Sequence, residues 1–231
     1  MSVMSTRVTP RRAMPDPLAP VALRPDERAR VHMIASLLLD YPDEAWFARL
    51  PLLRDQLAGL PSRVREPLEG FLDAAESGGR SAWERAYVTT FDLKRKCSLY
   101  LSYFATGDTR RRGTALVTFL DAYRAAGWEF DAAELPDYLP AVLEFSAVSG
   151  SPVADALLAS HREGVEVLRA ALEGMSSPWA GVVRAVTLSL PAIDSRTRDR
   201  VFDLVNEGPP SETVGLSWIG TLPPFRPRED V

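Results

Sequence analysis

The chain has 231 residues, 46% hydrophobic and 25% charged, with a net charge of −4. This is the composition of a soluble globular protein, long enough to bury roughly 70% of its extended surface without a metal or disulfide staple. The acidic balance disfavours a surface built for nucleic-acid phosphate, and the single cysteine, Cys97, excludes an internal disulfide and a paired-cysteine metal site.

The chain opens with an arm. Arg11-Arg12 resembles a twin-arginine export signal, but "AMPDPLAPVALRP" follows, with four prolines and no apolar run. Residues 1–24 are therefore expected to be disordered. Pro25-Asp26-Glu27 then starts a helix, with proline at its first position and acids in its first turn. Val31, Ile34, Ala35, Leu38 and Leu39 form its apolar stripe, and His32 falls one position off it.

Pro42-Asp43-Glu44 starts the next helix, with Trp46, Phe47, Leu50 and Leu53 on one face. Ser62 to Ala75 and Ser81 to Thr90 read as two more, parted by Gly78-Gly79. A short helix from Leu99 to Phe104 ends at Gly107. Asp108 is expected to N-cap a long helix carrying Leu116, Phe119, Leu120 and Tyr123, which Gly127 stops. Helices over Asp137–Val148, Val153–Leu172, Pro178–Leu190 and Ser195–Val205 complete the set. Asp137 is the expected N-cap of the first of these, which places Pro140 at the third position, where no helical bond is lost.

The fold class is all-α: a single globular bundle of about ten short helices spanning 25–207. From Gly208 the character changes to a proline-rich tail, residues 208–231, with five prolines and a "TVGLSWIGTL" run that is β-like. No stretch approaches 18 apolar residues, so no transmembrane helix is expected. The expected location is the cytoplasm.

Residues 91–116, "FDLKRKCSLYLSYFATGDTRRRGTAL", hold six cations and four aromatic rings. Lys94, Arg95 and Lys96 precede the short helix; Arg110, Arg111 and Arg112 open the long one. Cations at a helix N-terminus oppose its dipole. The turn is either a solvated stretch that tolerates the cost, an anion site in which guanidinium groups join free backbone N–H groups, or an internal pairing of Arg110 or Arg112 with Asp92 or Glu134. Tyr87, Phe91, Tyr100, Tyr103 and Phe104 are helically spaced, which favours a core over a base-stacking platform. Glu134, Asp137 and Glu144 cluster in sequence but do not form the tuned pair that catalysis needs. No nucleophile elbow, phosphate loop or dinucleotide fingerprint occurs. Cys97 beside Lys96 reads as a bystander thiol, and neither His32 nor His161 has a visible relay partner. These residues favour a binding protein over an enzyme.

Three motifs in this region carry a resemblance: F-D-L-x-x-x-x-S-L-Y-L from Phe91, G-D-T-R-x-R-G-x-A-L from Gly107, and E-L-P-D-x-L-P-x-x-L-E-F from Glu134. Together they resemble the NarJ-type assembly chaperones of nitrate reductase, within the wider TorD-like and DmsD-like maturation chaperones. The likeness runs over roughly residues 28–207 and leaves out the arm and the tail. It implies a TorD-like all-helical fold, no enzymatic activity and no cofactor of its own. It also implies a chaperone that holds the catalytic α subunit of nitrate reductase while the molybdenum cofactor is inserted, before membrane attachment. The implied contact is the N-terminal segment of that subunit, a remnant of a twin-arginine signal, with transient contact to cofactor-delivery proteins and none to nucleic acid. The alternative client is a different molybdoenzyme. Carried over motif by motif, the partner-binding candidates are Asp92, Leu93, Tyr100, Asp108, Arg110, Arg112, Glu134, Asp137 and Glu144. Tyr103 joins them as an apolar wall beside Leu93 and Tyr100. Tyr138 stands where the wider group often has histidine, a departure from the pattern.

Overall fold

Pro25 does open a helix, and the Arg24 N–H bonds the Glu27 carboxylate at 2.9 Å just ahead of it. The structure, a computed structural model, describes residues 18–131 and 133–191. Ten α-helices follow along them: α1 (Pro25–Leu38), α2 (Glu44–Asp55), α3 (Ser62–Ser77), α4 (Arg80–Tyr87), α5 (Leu101–Thr106), α6 (Arg111–Ala125), α7 (Leu139–Ser149), α8 (Pro152–Ser160), α9 (Arg162–Gly174) and α10 (Trp179–Ser189). A π-helical turn, Val88–Asp92, continues α4, and a 3-10 turn, Arg95–Cys97, follows it. No strand forms among the described residues; one isolated antiparallel bridge joins Tyr100 to Tyr138.

Helix α10 is the centre of the packing, set against α1, α3 and α9, while α1 also packs along α7. The reason lies in its sequence: Trp179, Val182, Val183, Ala185, Val186 and Leu188 are all buried, so it is apolar on several sides. The fully buried Trp179 ring is met by Trp83, Phe91, Tyr87 and Phe71, at centroid distances of 4.9, 5.3, 5.7 and 6.0 Å. Its indole N–H donates to the Leu38 carbonyl at 3.2 Å, so the polar edge is satisfied as well. The aromatics around residues 87–104 are thus largely core.

Helices α3 and α10 approach closely at Gly181. A Cβ there would lie 2.5 Å from the Pro67 carbonyl oxygen. Gly181→Ala is expected to lose about 1–3 kcal/mol despite alanine's better helix propensity, because backbone must move. Gly113→Ala in α6, where a Cβ meets nothing within 4 Å, is expected to gain up to about 1 kcal/mol. Urea midpoints of the two variants check the contrast.

Several elements depart from the sequence expectations. The long helix after Gly107 begins at Arg111, and its N-cap is Arg110, not Asp108. Gly107 has φ +58°, and the chain turns through Asp108–Arg110 before the helix starts. Helix α7 is capped by Tyr138, not Asp137: Asp137 is fully buried, its side chain turned towards α5. The single helix expected over Val153–Leu172 is two, broken at His161. There Ser160 Oγ donates to the Leu157 carbonyl, and the imidazole reaches the same oxygen while packing on Phe119. Side-chain competition of this kind ends a helix. His32 is fully buried rather than off the stripe.

Residues 18–24 also depart from the disorder expected of them. Residues 18–24 lie extended against the body, with Leu18, Val21 and Leu23 partly buried on the core. The hydrogen bond from the Val21 N–H to the Leu188 carbonyl, at 2.8 Å, supplies the register that prolines alone cannot. Residues 1–17, the helix expected over Ser195–Val205 and the tail lie outside the described residues.

Candidate functional site

The site begins with the motif around Ser98–Tyr103 crossing the one around Glu134–Leu139. Two backbone bonds fix the crossing: Leu101 N–H to the Asp137 carbonyl at 2.9 Å and Leu139 N–H to the Leu99 carbonyl at 2.7 Å. The bridge brings the Tyr100 and Tyr138 rings to 5.5 Å. Inside the crossing, Asp137 Oδ2 accepts from Ser102 Oγ at 2.5 Å and from the Ser102 N–H at 3.2 Å. The carboxylate thus caps the start of α5 from another part of the chain, a role no local pattern reveals.

Arg112 closes the underside. Its guanidinium lies over Tyr100 at 5.2 Å and Tyr103 at 6.0 Å. Its Nη1 reaches Asp108 at 3.5 Å, and its Nη2 stands 3.9 Å from Asp137. At that separation the Asp137 contact is electrostatic and not a hydrogen bond. Arg112 therefore braces the acids from within. Of the three readings of the arginine turn, internal pairing describes Arg112, with Asp108 and Asp137 as partners in place of Asp92 and Glu134. Tyr103 is buried, its hydroxyl accepting from Arg95 Nε at 2.7 Å, so it does not form an exposed wall.

Outward from the crossing the surface is acidic and aromatic. Tyr100 donates to Glu134 Oε2 at 2.7 Å. Tyr87 commits its proton to the Leu39 carbonyl at 3.0 Å, so the Tyr138 hydroxyl, 3.2 Å away, donates to Tyr87. The Tyr138 phenol is pushed up to about 12, by burial first and then by the charges of Asp40, Glu134 and Asp92. The charges of three carboxylates from distant parts of the sequence thus act on one hydroxyl. Neither Asp40 nor Asp92 forms an ion pair with a cation among the described residues.

An apolar margin adjoins these acids. Tyr41, 44% exposed, packs edge-on against Tyr87 at 5.5 Å. Val88 is exposed too, and the Leu93 N–H bonds its carbonyl at 3.2 Å, a π-type bond that adds a residue to the turn. The wider turn leaves Leu93 projecting, 72% exposed. Lys94 reaches Met175 at the end of α9, at 3.1 Å.

The structure therefore gathers Asp92, Leu93, Tyr100, Glu134 and Tyr138 at one surface, with Asp108, Arg112, Asp137 and Tyr103 as its support. Arg110 is exposed at the start of α6. Glu144 is exposed on another face of α7, where its charge acts on Tyr123. Sequence reasoning missed Asp40 and Tyr41. Their signal was an aromatic residue held in the turn before Pro42, where a core position is not expected.

Cys97 is buried, its thiol pushed up to about 11 chiefly by desolvation, so it is a poor nucleophile. No cluster of histidine, cysteine and carboxylate groups suited to a metal ion occurs among the described residues, and no helix there is long and apolar enough to cross a membrane. Exposed Asp40, Asp92 and Glu134 and exposed Tyr41, Val88 and Leu93 are thus the side chains that this surface offers to solvent.

Comparison with known proteins agrees with the motifs. The family model "nitrate reductase delta subunit" matches residues 57–185. The chain is 34% identical to a probable nitrate reductase molybdenum cofactor assembly chaperone NarJ of Bacillus subtilis, over 70% of this chain and 88% of that one. It is 29% identical to the nitrate reductase molybdenum cofactor assembly chaperone NarJ of Escherichia coli, over 80% of each. A nitrate reductase-like protein NarX of Mycobacterium tuberculosis is 33% identical over 83% of this chain, which spans 28% of that longer protein. The crystal structure of a redox enzyme maturation protein from Archaeoglobus fulgidus shares the fold, with a TM-score of 0.51 at 22% identity over 71% of this chain and 93% of that one. The chain belongs to the nitrate reductase delta subunit family.

Proposed function

We propose that this protein is an assembly chaperone for nitrate reductase, binding the N-terminal segment of the catalytic α subunit before molybdenum cofactor insertion and membrane attachment. Its relatives carry the name of cofactor assembly chaperones, which supports the general role. The observation that supports the specific reading is the exposure of Asp40, Asp92 and Glu134 beside exposed Tyr41, Val88 and Leu93, around the Tyr100–Tyr138 and Tyr41–Tyr87 ring contacts. A client segment folded as an amphipathic helix lays its apolar side on that margin and its cations on the acids. The Tyr138 oxygen, having donated its proton to Tyr87, offers lone pairs to the same cations.

Release after assembly requires reversible binding. Titration of the α subunit's N-terminal peptide into the purified protein is expected to give a dissociation constant between micromolar and nanomolar, about −8 to −12 kcal/mol. Absence of a binding signal at millimolar peptide would refute the reading. Because the charges are exposed, affinity should fall as salt shortens the screening length below about 8 Å.

A further inference from the structure

Away from the acidic surface, residues 18–24 and the end of α10 are tied to one side chain. Arg162, at the first position of α9, is 1% exposed. Its Nη2 donates to the Leu18 carbonyl at 2.9 Å, and its Nη1 to the carbonyls of Leu190 and Pro191. Glu166, also buried, bonds Arg162 and Arg169, and Arg169 continues to Glu173. The guanidinium is thus the end of a buried ladder of charges, and it is capped by main-chain oxygens from both ends of the described body.

Among the described residues the extended segment itself is lightly held. None of residues 18–24 is fully buried. Besides Arg162, the Val21 N–H bonds Leu188 O, and Arg63 of α3 donates to the Ala19 carbonyl at 3.1 Å. Beside it lies a cavity of about 370 Å³ between α3 and α10, lined by Arg63, Glu66, Pro67, Arg184 and Leu188. Two of those residues, Arg63 and Leu188, also hold the segment. The cavity and the segment therefore occupy neighbouring stretches of the same α3–α10 groove.

The geometry points to residues 18–24 being a releasable strap over the α3–α10 groove, with Arg162 as its clasp. Segments with few buried contacts open at low free energy while the core stays closed. Opening here removes Leu18, Val21 and Leu23 from the groove and joins the covered stretch to the cavity. Lysine cannot replace Arg162, because a single ammonium does not present the planar fork that reaches three carbonyls and Glu166 together.

Hydrogen exchange on the full chain tests this. In the wild type the Val21 amide should be protected, yet exchange faster than amides of α10 such as Val183. Arg162→Gln should speed Val21 exchange by at least about tenfold while Val183 changes less than about twofold. Binding of an apolar dye should rise in parallel. Val21→Asp places a charge under the strap without touching Arg162 and should give the same pattern. A Val21 amide unprotected in the wild type would show that no strap exists. Unchanged Val21 exchange in Arg162→Gln would remove the clasp. If either variant accelerates Val183 as much as Val21, the segment is a fixed part of the core and the proposal is wrong.

Discussion

Replacing Asp40 and Asp92 together by lysine is expected to weaken binding of the α subunit's N-terminal peptide by about 100-fold, close to 2.8 kcal/mol at 1.4 kcal/mol per decade. Each reversal removes an attraction and installs a repulsion opposite a client cation, and like-charge contacts at an interface cost more than a lost pair. Both side chains are exposed and act on the same phenol, so the two changes address one patch and their effects should be coupled. Glu144→Lys supplies the control. It carries the same charge and is also exposed, but its charge falls on Tyr123, not on Tyr138. Its effect should stay within about threefold, or under 0.7 kcal/mol. Thermal midpoints of all three proteins should agree closely, because exposed substitutions outside a bonded network shift stability little. A Glu144→Lys loss of about tenfold, half the pair's in free energy and so in proportion to the charge changed, would mean that binding reads net charge and not this surface.

That contrast also shows what the sequence reveals of the site and what it conceals. Helix periodicity locates α1, α2, α3 and α10 because each has a continuous apolar stripe that must be buried. Motif likeness marks Asp92, Tyr100, Arg112, Glu134 and Asp137, yet it assigns them no inside or outside. Asp137 reads as a helix cap because an acid ahead of a proline-bearing helix usually is one. The tertiary crossing with Ser102 takes it instead, and a contact spanning 35 residues leaves no local trace. Glu166 with Arg162 and Arg169 has i,i+3 and i,i+4 charge spacing, which on most helices is solvated. Here they are buried, with neighbouring elements supplying the missing acceptors. Asp40 and Tyr41 sit in a short connection whose meaning depends on Tyr87 and Tyr138, far along the chain.

His32 shows the same concealment in the core, and its replacement should change how stability depends on pH. The imidazole is fully buried on α1, with Nδ1 2.9 Å from Ser146 Oγ on α7 and Nε2 2.8 Å from Ser189 Oγ at the end of α10. Ser189 already donates to the Val186 carbonyl at 2.6 Å. It must therefore accept from Nε2–H, which leaves Nδ1 to accept from Ser146. The ring is a neutral Nε2–H tautomer pinning three helices. Burial, with a smaller contribution from Arg28, lowers its pKa from 6.5 to about 3. Since the folded value lies below the unfolded one, the unfolded chain binds the proton first on acidification. The stability this group supports is complete above pH 6.5 and is lost as pH falls from there towards 3. Between pH 7 and 4 the loss amounts to about 3 kcal/mol at 1.36 kcal/mol per unit. His32→Gln should be less stable at pH 7 by about 1–3 kcal/mol, because one of the two serine hydroxyls loses its partner. Its stability should then fall much less steeply down to pH 4. Some slope will remain, since His161 is also lowered by burial and acts with the same sign. Urea unfolding of both proteins at a series of pH values measures the difference. Two curves that stay parallel from pH 7 to pH 4 would mean that His32 takes up its proton in the folded protein as readily as in the unfolded chain, and would overturn the pinned neutral imidazole.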